Sequence, residues 1–86
     1  MKTINFKELP SNTLNGGIQY KFKADNGFGA SIVQHSFSYG NKKELWELAV
    51  LDKEGNLIYT TPITDNVLGY LSEEKVNQTL LKIEQL

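Results

Sequence analysis

The sequence predicts an α+β domain, an antiparallel meander of four to five strands with one C-terminal helix packed on a face. Three observations predict it. Residues 18–24 alternate apolar and polar, residues 45–51 are almost continuously apolar, and residues 76–86 carry an apolar stripe at helical spacing. With 86 residues, 40% hydrophobic and 22% charged, residues 1–86 form a single domain: the chain can enclose one core and is too short for two.

The N-terminal part is the least patterned. Ile4 and Phe6 allow a strand over residues 3–9, the fifth of the meander, and residues 11–17 read as a flexible loop rich in Asn and Gly. The first firm strand follows, with Ile18, Tyr20, Phe22 and Ala24 on one face and Gln19, Lys21 and Lys23 on the other. Asp25, Asn26 and Gly27 make a hairpin turn, since an Asn-Gly step supplies positive φ angles. The returning strand changes parity: Phe28, Ala30 and Ile32 share one phase, then Val33, His35, Phe37 and Tyr39 take the other. Either a bulge near Gly29 switches the faces, or the strand is buried on both sides at its centre.

After a loop at residues 40–43, the segment 44–51 reads as the central strand, dense enough in apolar side chains that both faces must be at least partly covered. Residues 52–56 turn the chain and residues 57–61 form the next strand, stopped by Pro62, which has no N–H for a ladder. In residues 63–71, Thr64 or Asp65 can cap a single helical turn that Gly69 ends. The final helix spans residues 73–85, with Ser72 as N-cap, Glu73 and Glu74 against the positive end of the dipole, and Leu71 stapled to Val76. Val76, Thr79, Leu80, Ile83 and Leu86 face the sheet, while Leu81 falls outside that stripe, exposed or meeting a partner.

Composition excludes several chemistries. No cysteine means no disulfide, thiolate nucleophile or sulfur-ligated metal, in keeping with a reducing compartment. No apolar run reaches the ~7 to 15 residues of a signal-peptide core or the ~18 of a membrane span, so the expectation is a cytoplasmic protein without membrane contact. All nine basic residues are lysines and the net charge is −1. Without a guanidinium fork, sequence-specific DNA reading is disfavoured, and phosphate binding requires the lysines at 2, 7, 21 and 23 to converge on one face.

No motif makes an active site. His35 is the sole histidine; as a general base it needs an oriented hydroxyl and an acid, and on a regular strand Ser36 points to the opposite face. Residues 52–56 are similar to the start of a calcium loop, but Ile63 stands where the twelfth-position Glu belongs. Gly27 and Gly29 lack the third glycine of a dinucleotide fingerprint, where Ile32 stands. Glu44 and Glu47, three apart, diverge on a strand. The expectation is therefore no catalytic residue, no metal and no cofactor. The candidate binding surface is His35, Phe37, Tyr39 and Asn41, where rings alternate with small polar residues; the plainer alternative buries Phe37 and Tyr39 in the sheet. Tyr20, Trp46 and Tyr59 can add a stacking platform for single-stranded nucleic acid, although no arginine supports it.

Residues 26–40 (NGFGASIVQHSFSYG), 45–52 (LWELAVLD) and 61–76 (TPITDNVLGYLSEEKV) resemble a group of small proteins encoded by bacteriophages and prophages. The resemblance covers about residues 26–76 and leaves the first 25 outside it. It implies a phage or prophage origin and residence in the bacterial host cytoplasm, and carries over no biochemical activity and no site residue. Together with the missing catalytic groups it makes a non-catalytic accessory protein the expectation, binding a host or phage protein. The alternative is a nucleic-acid or small-ligand binder using Lys21, Lys23 and the aromatic strand faces. Self-association through a strand edge or Leu81 stays open.

Overall fold

The structure, a computed structural model, describes residues 3–35, 44–64 and 67–86. A single 3-10 turn (Phe6–Glu8) precedes strands β1 (Ser11–Leu14), β2 (Gly17–Lys23), β3 (Gly29–Gln34), β4 (Trp46–Leu51) and β5 (Leu68–Leu71), and helix α1 (Glu73–Ile83) closes the chain. The sheet is a five-stranded antiparallel meander in the order β1-β2-β3-β4-β5, the α+β architecture anticipated from the sequence. Two of its strands, however, come from other segments than expected.

The first strand is not residues 3–9. That segment folds as the 3-10 turn because its N–H groups are claimed elsewhere: Asn5 Oδ1 accepts from Lys7 N, and Asn77 Oδ1 on α1 accepts from Phe6 N at 2.9 Å. Phe6 is thereby driven fully into the core, edge-on to Tyr20 and Trp46 at 5.2 and 4.9 Å between ring centroids. Lys7 pairs with Glu73 at the surface, 2.6 Å apart, and that hydrogen bond raises the Lys7 pKa. β1 instead arises from the segment read as a loop. Asn15 (φ 50°) and Gly16 (φ 79°) form a two-residue turn with positive φ at both positions, the type I′ geometry that matches strand twist and sets Leu14 opposite Gly17.

The 24–28 turn is wider than an Asn-Gly two-residue hairpin. Ala24 N donates to Phe28 O (2.7 Å), Gly27 N donates to Ala24 O (3.0 Å), and only Gly27 takes positive φ there, at 94°. No bulge interrupts β3: it pairs in unbroken register with β2 from Ile18–Gln34 to Lys23–Gly29, and with β4 from Gly29–Leu51 to Val33–Glu47. The second alternative holds, burial on both sides, with Ala30 and Ile32 under the helix and Val33 buried on the reverse face. Gly29 is needed for closeness rather than for a bulge, because a Cβ there would lie 2.4 Å from Phe22 O.

The 52–56 turn is a plain one: Asp52 Oδ1 accepts from Glu54 N and Asn56 N, both at 2.9 Å, and Gly55 takes φ 86°. The strand expected at residues 57–61 reduces to a single bridge, Leu57 opposite Leu51. The outer edge of β4 is then occupied by β5, at Trp46–Leu71 and Leu48–Leu68, where a helical turn was expected; Asp65, a candidate cap of that turn, lies outside the described residues. The irregularity of the sheet is here, since two β5 residues, Gly69 and Tyr70, fall between those pairs and only Glu47 between their partners.

Helix α1 matches its sequence signals. Ser72 Oγ accepts from Lys75 N, and Val76, Thr79, Leu80 and Ile83 are buried against Phe22, Ile32, Leu48 and Val50. It stops at Ile83, two residues short of the expected end, because Gln85 N and Leu86 N turn back onto Lys82 O and Ile83 O. Leu81, placed off the stripe, is half-buried rather than exposed.

Candidate functional site

Alternation distributes the sheet side chains to two faces. Tyr20, Phe22, Ala30, Ile32, Trp46, Leu48 and Val50 look toward α1, and Tyr20 and Trp46 meet edge-on at 5.8 Å beside Phe6. Lys21 and Lys23 therefore project from the reverse face, separated by the sheet from the β2 rings. The stacking platform imagined from Tyr20 and Trp46 is a core cluster instead. Nor do the described lysines among residues 2, 7, 21 and 23 converge: Lys7 sits beside α1, bound to Glu73, while Lys21 and Lys23 are on the open face.

On that open face Gln19 Nε2 donates to Ser31 Oγ at 2.7 Å, and Ser31, the hydroxyl of β3, stands four residues from His35 along the strand, about 13 Å at strand rise. Lys23 Nζ donates to Lys53 O at 3.4 Å, and Lys53 Nζ lies 5.7 Å above the Phe28 ring. His35 directly follows β3 and is half-buried at the hairpin end of β2, where a Cβ on Gly17 would lie 2.6 Å from its Cα. Phe37, Tyr39 and Asn41, the other members of the candidate surface, lie outside the described residues. Among the described residues no group of three His, Asp or Glu side chains could hold a metal ion, and no helix is long and apolar enough to cross a membrane.

The feature with no structural explanation lies on the other side of β4. Among the described residues the large apolar side chains left in water are Leu57 (51% exposed), Tyr59 (47%) and Tyr70 (61%), all in the chain that runs along the outer edge of β4. Leu57 pairs with Leu51 at one end; Tyr70 sits in the irregularity opposite Glu47, four residues back along β4, or about 13 Å at strand rise. Ile58 N donates to Val50 O at 3.0 Å, and Ile58 and Ile63 pack against the core, so this edge is anchored from below while Leu57 and Tyr59 stand out.

Tyr70 is the sharpest part of it. Its φ is 57°, in the left-handed region, which costs a residue with a Cβ about 1–2 kcal/mol. Gly69 next to it could adopt that conformation freely, yet the left-handed turn falls on the tyrosine. The ring recovers little of this by packing, since most of it faces water.

The sequence offered no direct sign of this edge. Its exposure depends on which segment takes the edge of β4, and residues 57–61 and 68–71 carry similar apolar density. Comparison with family models, with curated proteins and with solved structures finds no match to the chain.

Proposed function

We propose that the chain is a non-catalytic binding protein that docks another protein, a host or phage protein, on the outer β4 edge through Leu57, Tyr59 and Tyr70. The observation that carries it is Tyr70, a mostly exposed aromatic held at a cost in backbone energy that its own packing does not offset. Tyrosine anchors are enriched where protein partners meet, because a rigid ring desolvates a large area while its hydroxyl keeps a hydrogen bond. The complementary partner surface is an apolar cleft with a polar rim. The resemblance of residues 26–76 to phage-encoded proteins supports a partner in the cytoplasm of a bacterial host.

The test uses Tyr70→Gly, which removes the ring and relieves the left-handed strain. Stability should be unchanged or slightly higher, while capture of a reproducible partner from bacterial lysate, and the affinity for that partner once purified, should fall at least tenfold, the loss of about 1.4 kcal/mol. Unchanged affinity in the Tyr70→Gly, Leu57→Ser and Tyr59→Ser variants alike would refute this site.

A second reading rests on Lys21 and Lys23, which project from the open face and could neutralise a polyanion without ring stacking. It requires salt-dependent binding. Fluorescence anisotropy with single- and double-stranded oligonucleotides that stays flat at low salt removes it.

A further inference from the structure

We infer that β1 is a docking edge for a second copy of this chain, the two copies joining β1 to β1 antiparallel, about a two-fold axis at Asn12, into one continuous sheet. Which groups of β1 face outward follows from the hairpin. In a two-residue hairpin the residues flanking the turn, Leu14 and Gly17, form a hydrogen-bonded pair, and open and bonded pairs alternate away from it. Thr13–Ile18 is then open, Asn12–Gln19 bonded and Ser11–Tyr20 open. Lys21 N, donating to Pro10 O at 3.1 Å, fixes the same phase one step further along.

Ser11 and Thr13 therefore turn their N–H and C=O groups away from β2. Among the described residues only Asn12 Nδ2 reaches this row, donating to Thr13 O at 3.3 Å. A carbonyl oxygen accepts twice, so Thr13 O can take a second donor. Pro10 costs the row nothing, because its missing N–H belongs to the inward side of the strand.

Two properties make a second copy the occupant. The row is electrostatically complementary to itself. With the axis at Asn12, Ser11 N–H donates to Thr13 O of the second copy, Thr13 N–H donates to Ser11 O of the second copy, and symmetry repeats both bonds. The side chains agree with that register: Ser11 meets Thr13 hydroxyl to hydroxyl, Leu14 meets Pro10, and Asn12 meets itself. The edge also lacks the usual protection against such pairing. No charged residue stands between Leu9 and Tyr20, no proline interrupts Ser11–Leu14, the register with β2 is unbroken, and Ser11, Asn12 and Thr13 are exposed. The opposite edge is blunted, since β5 carries a register shift and Tyr70 at φ 57°. A strand of 4 residues makes a small interface, so assembly is reversible and depends on concentration.

Sedimentation of the protein over about 10 μM to about 1 mM, a range suited to a weak interface, should show a monomer–dimer equilibrium. The amides of Ser11 and Thr13 should gain protection from hydrogen exchange as concentration rises. Thr13→Pro deletes an outward N–H and leaves the bonds to β2 in place, so it should weaken the dimer roughly thirtyfold, the factor for losing one hydrogen bond per copy. Asn12→Lys sets two like charges face to face on the axis and should weaken it as well, less so in high salt. That second variant decides the matter if Thr13→Pro detaches β1. A monomer throughout the concentration range, or a dimer that both variants form as readily as wild type, would overturn the inference. So would a dimer lost in Tyr70→Gly and kept in Asn12→Lys, which moves the contact to the outer β4 edge.

Discussion

Replacing Asn26 tests how the last turn of α1 is held to the sheet. Its side chain makes three hydrogen bonds, one closing the 24–28 turn at Phe28 N and two reaching the main-chain oxygens of Ile83 and Leu86. At a net ~1 kcal/mol for each partly buried bond, Asn26→Ala should destabilise the protein by about 2–3 kcal/mol. For a domain of this size that lowers the melting temperature by roughly 10–20 °C. Asn26→Asp should be worse near neutral pH, although it changes a single group. It keeps the acceptor for Phe28 N but turns a carboxylate oxygen toward two carbonyl oxygens at the negative end of the helix. The neutral acid is favoured there, which raises the folded-state pKa above the unfolded value of ~3.9. Stability relative to wild type is then greatest below about pH 3.9 and is lost as pH rises through the folded-state value, staying low above it. Urea unfolding of the three proteins across this range measures both effects. An Asn26→Asp protein as stable as wild type near neutrality, or an Asn26→Ala cost under about 0.5 kcal/mol, would show that these bonds do not hold the helix end.

Two further outcomes follow from packing. Gly17→Ala places a Cβ 2.0 Å from Gln34 O and 2.6 Å from His35 Cα, contacts with main-chain atoms that cannot swing aside, so denaturant melts should show a loss of about 1–3 kcal/mol. Phe6→Ala empties the space between Tyr20, Trp46 and α1 and should cost about 3–5 kcal/mol, with a change in Trp46 fluorescence that reports the lost edge-to-face contact.

Sequence alone determined the elements whose pattern is set by a single neighbouring surface. The alternation of residues 18–24 became β2, and Ser72 with the Val76, Thr79, Leu80 and Ile83 stripe became α1, because one face of each meets the core and the other meets water. β1 was also legible, through Asn15-Gly16, the same turn signal used at Asn26-Gly27; the polar composition of Ser11, Asn12 and Thr13 made it look like a loop because an edge strand outside the core needs few apolar residues. Tertiary structure decided the rest. Phe6 left the strand pattern because Asn77, distant in sequence, accepts its N–H. Residues 57–61 and 68–71 both suit a strand, and the outer edge of β4 has ladder positions for only one of them along most of its length. Competition for those positions placed β5, confined Leu57 to a single bridge, and left Leu57, Tyr59 and Tyr70 facing water. Exposure of that kind belongs to the contest between segments for one set of backbone hydrogen bonds, and no local pattern encodes its outcome.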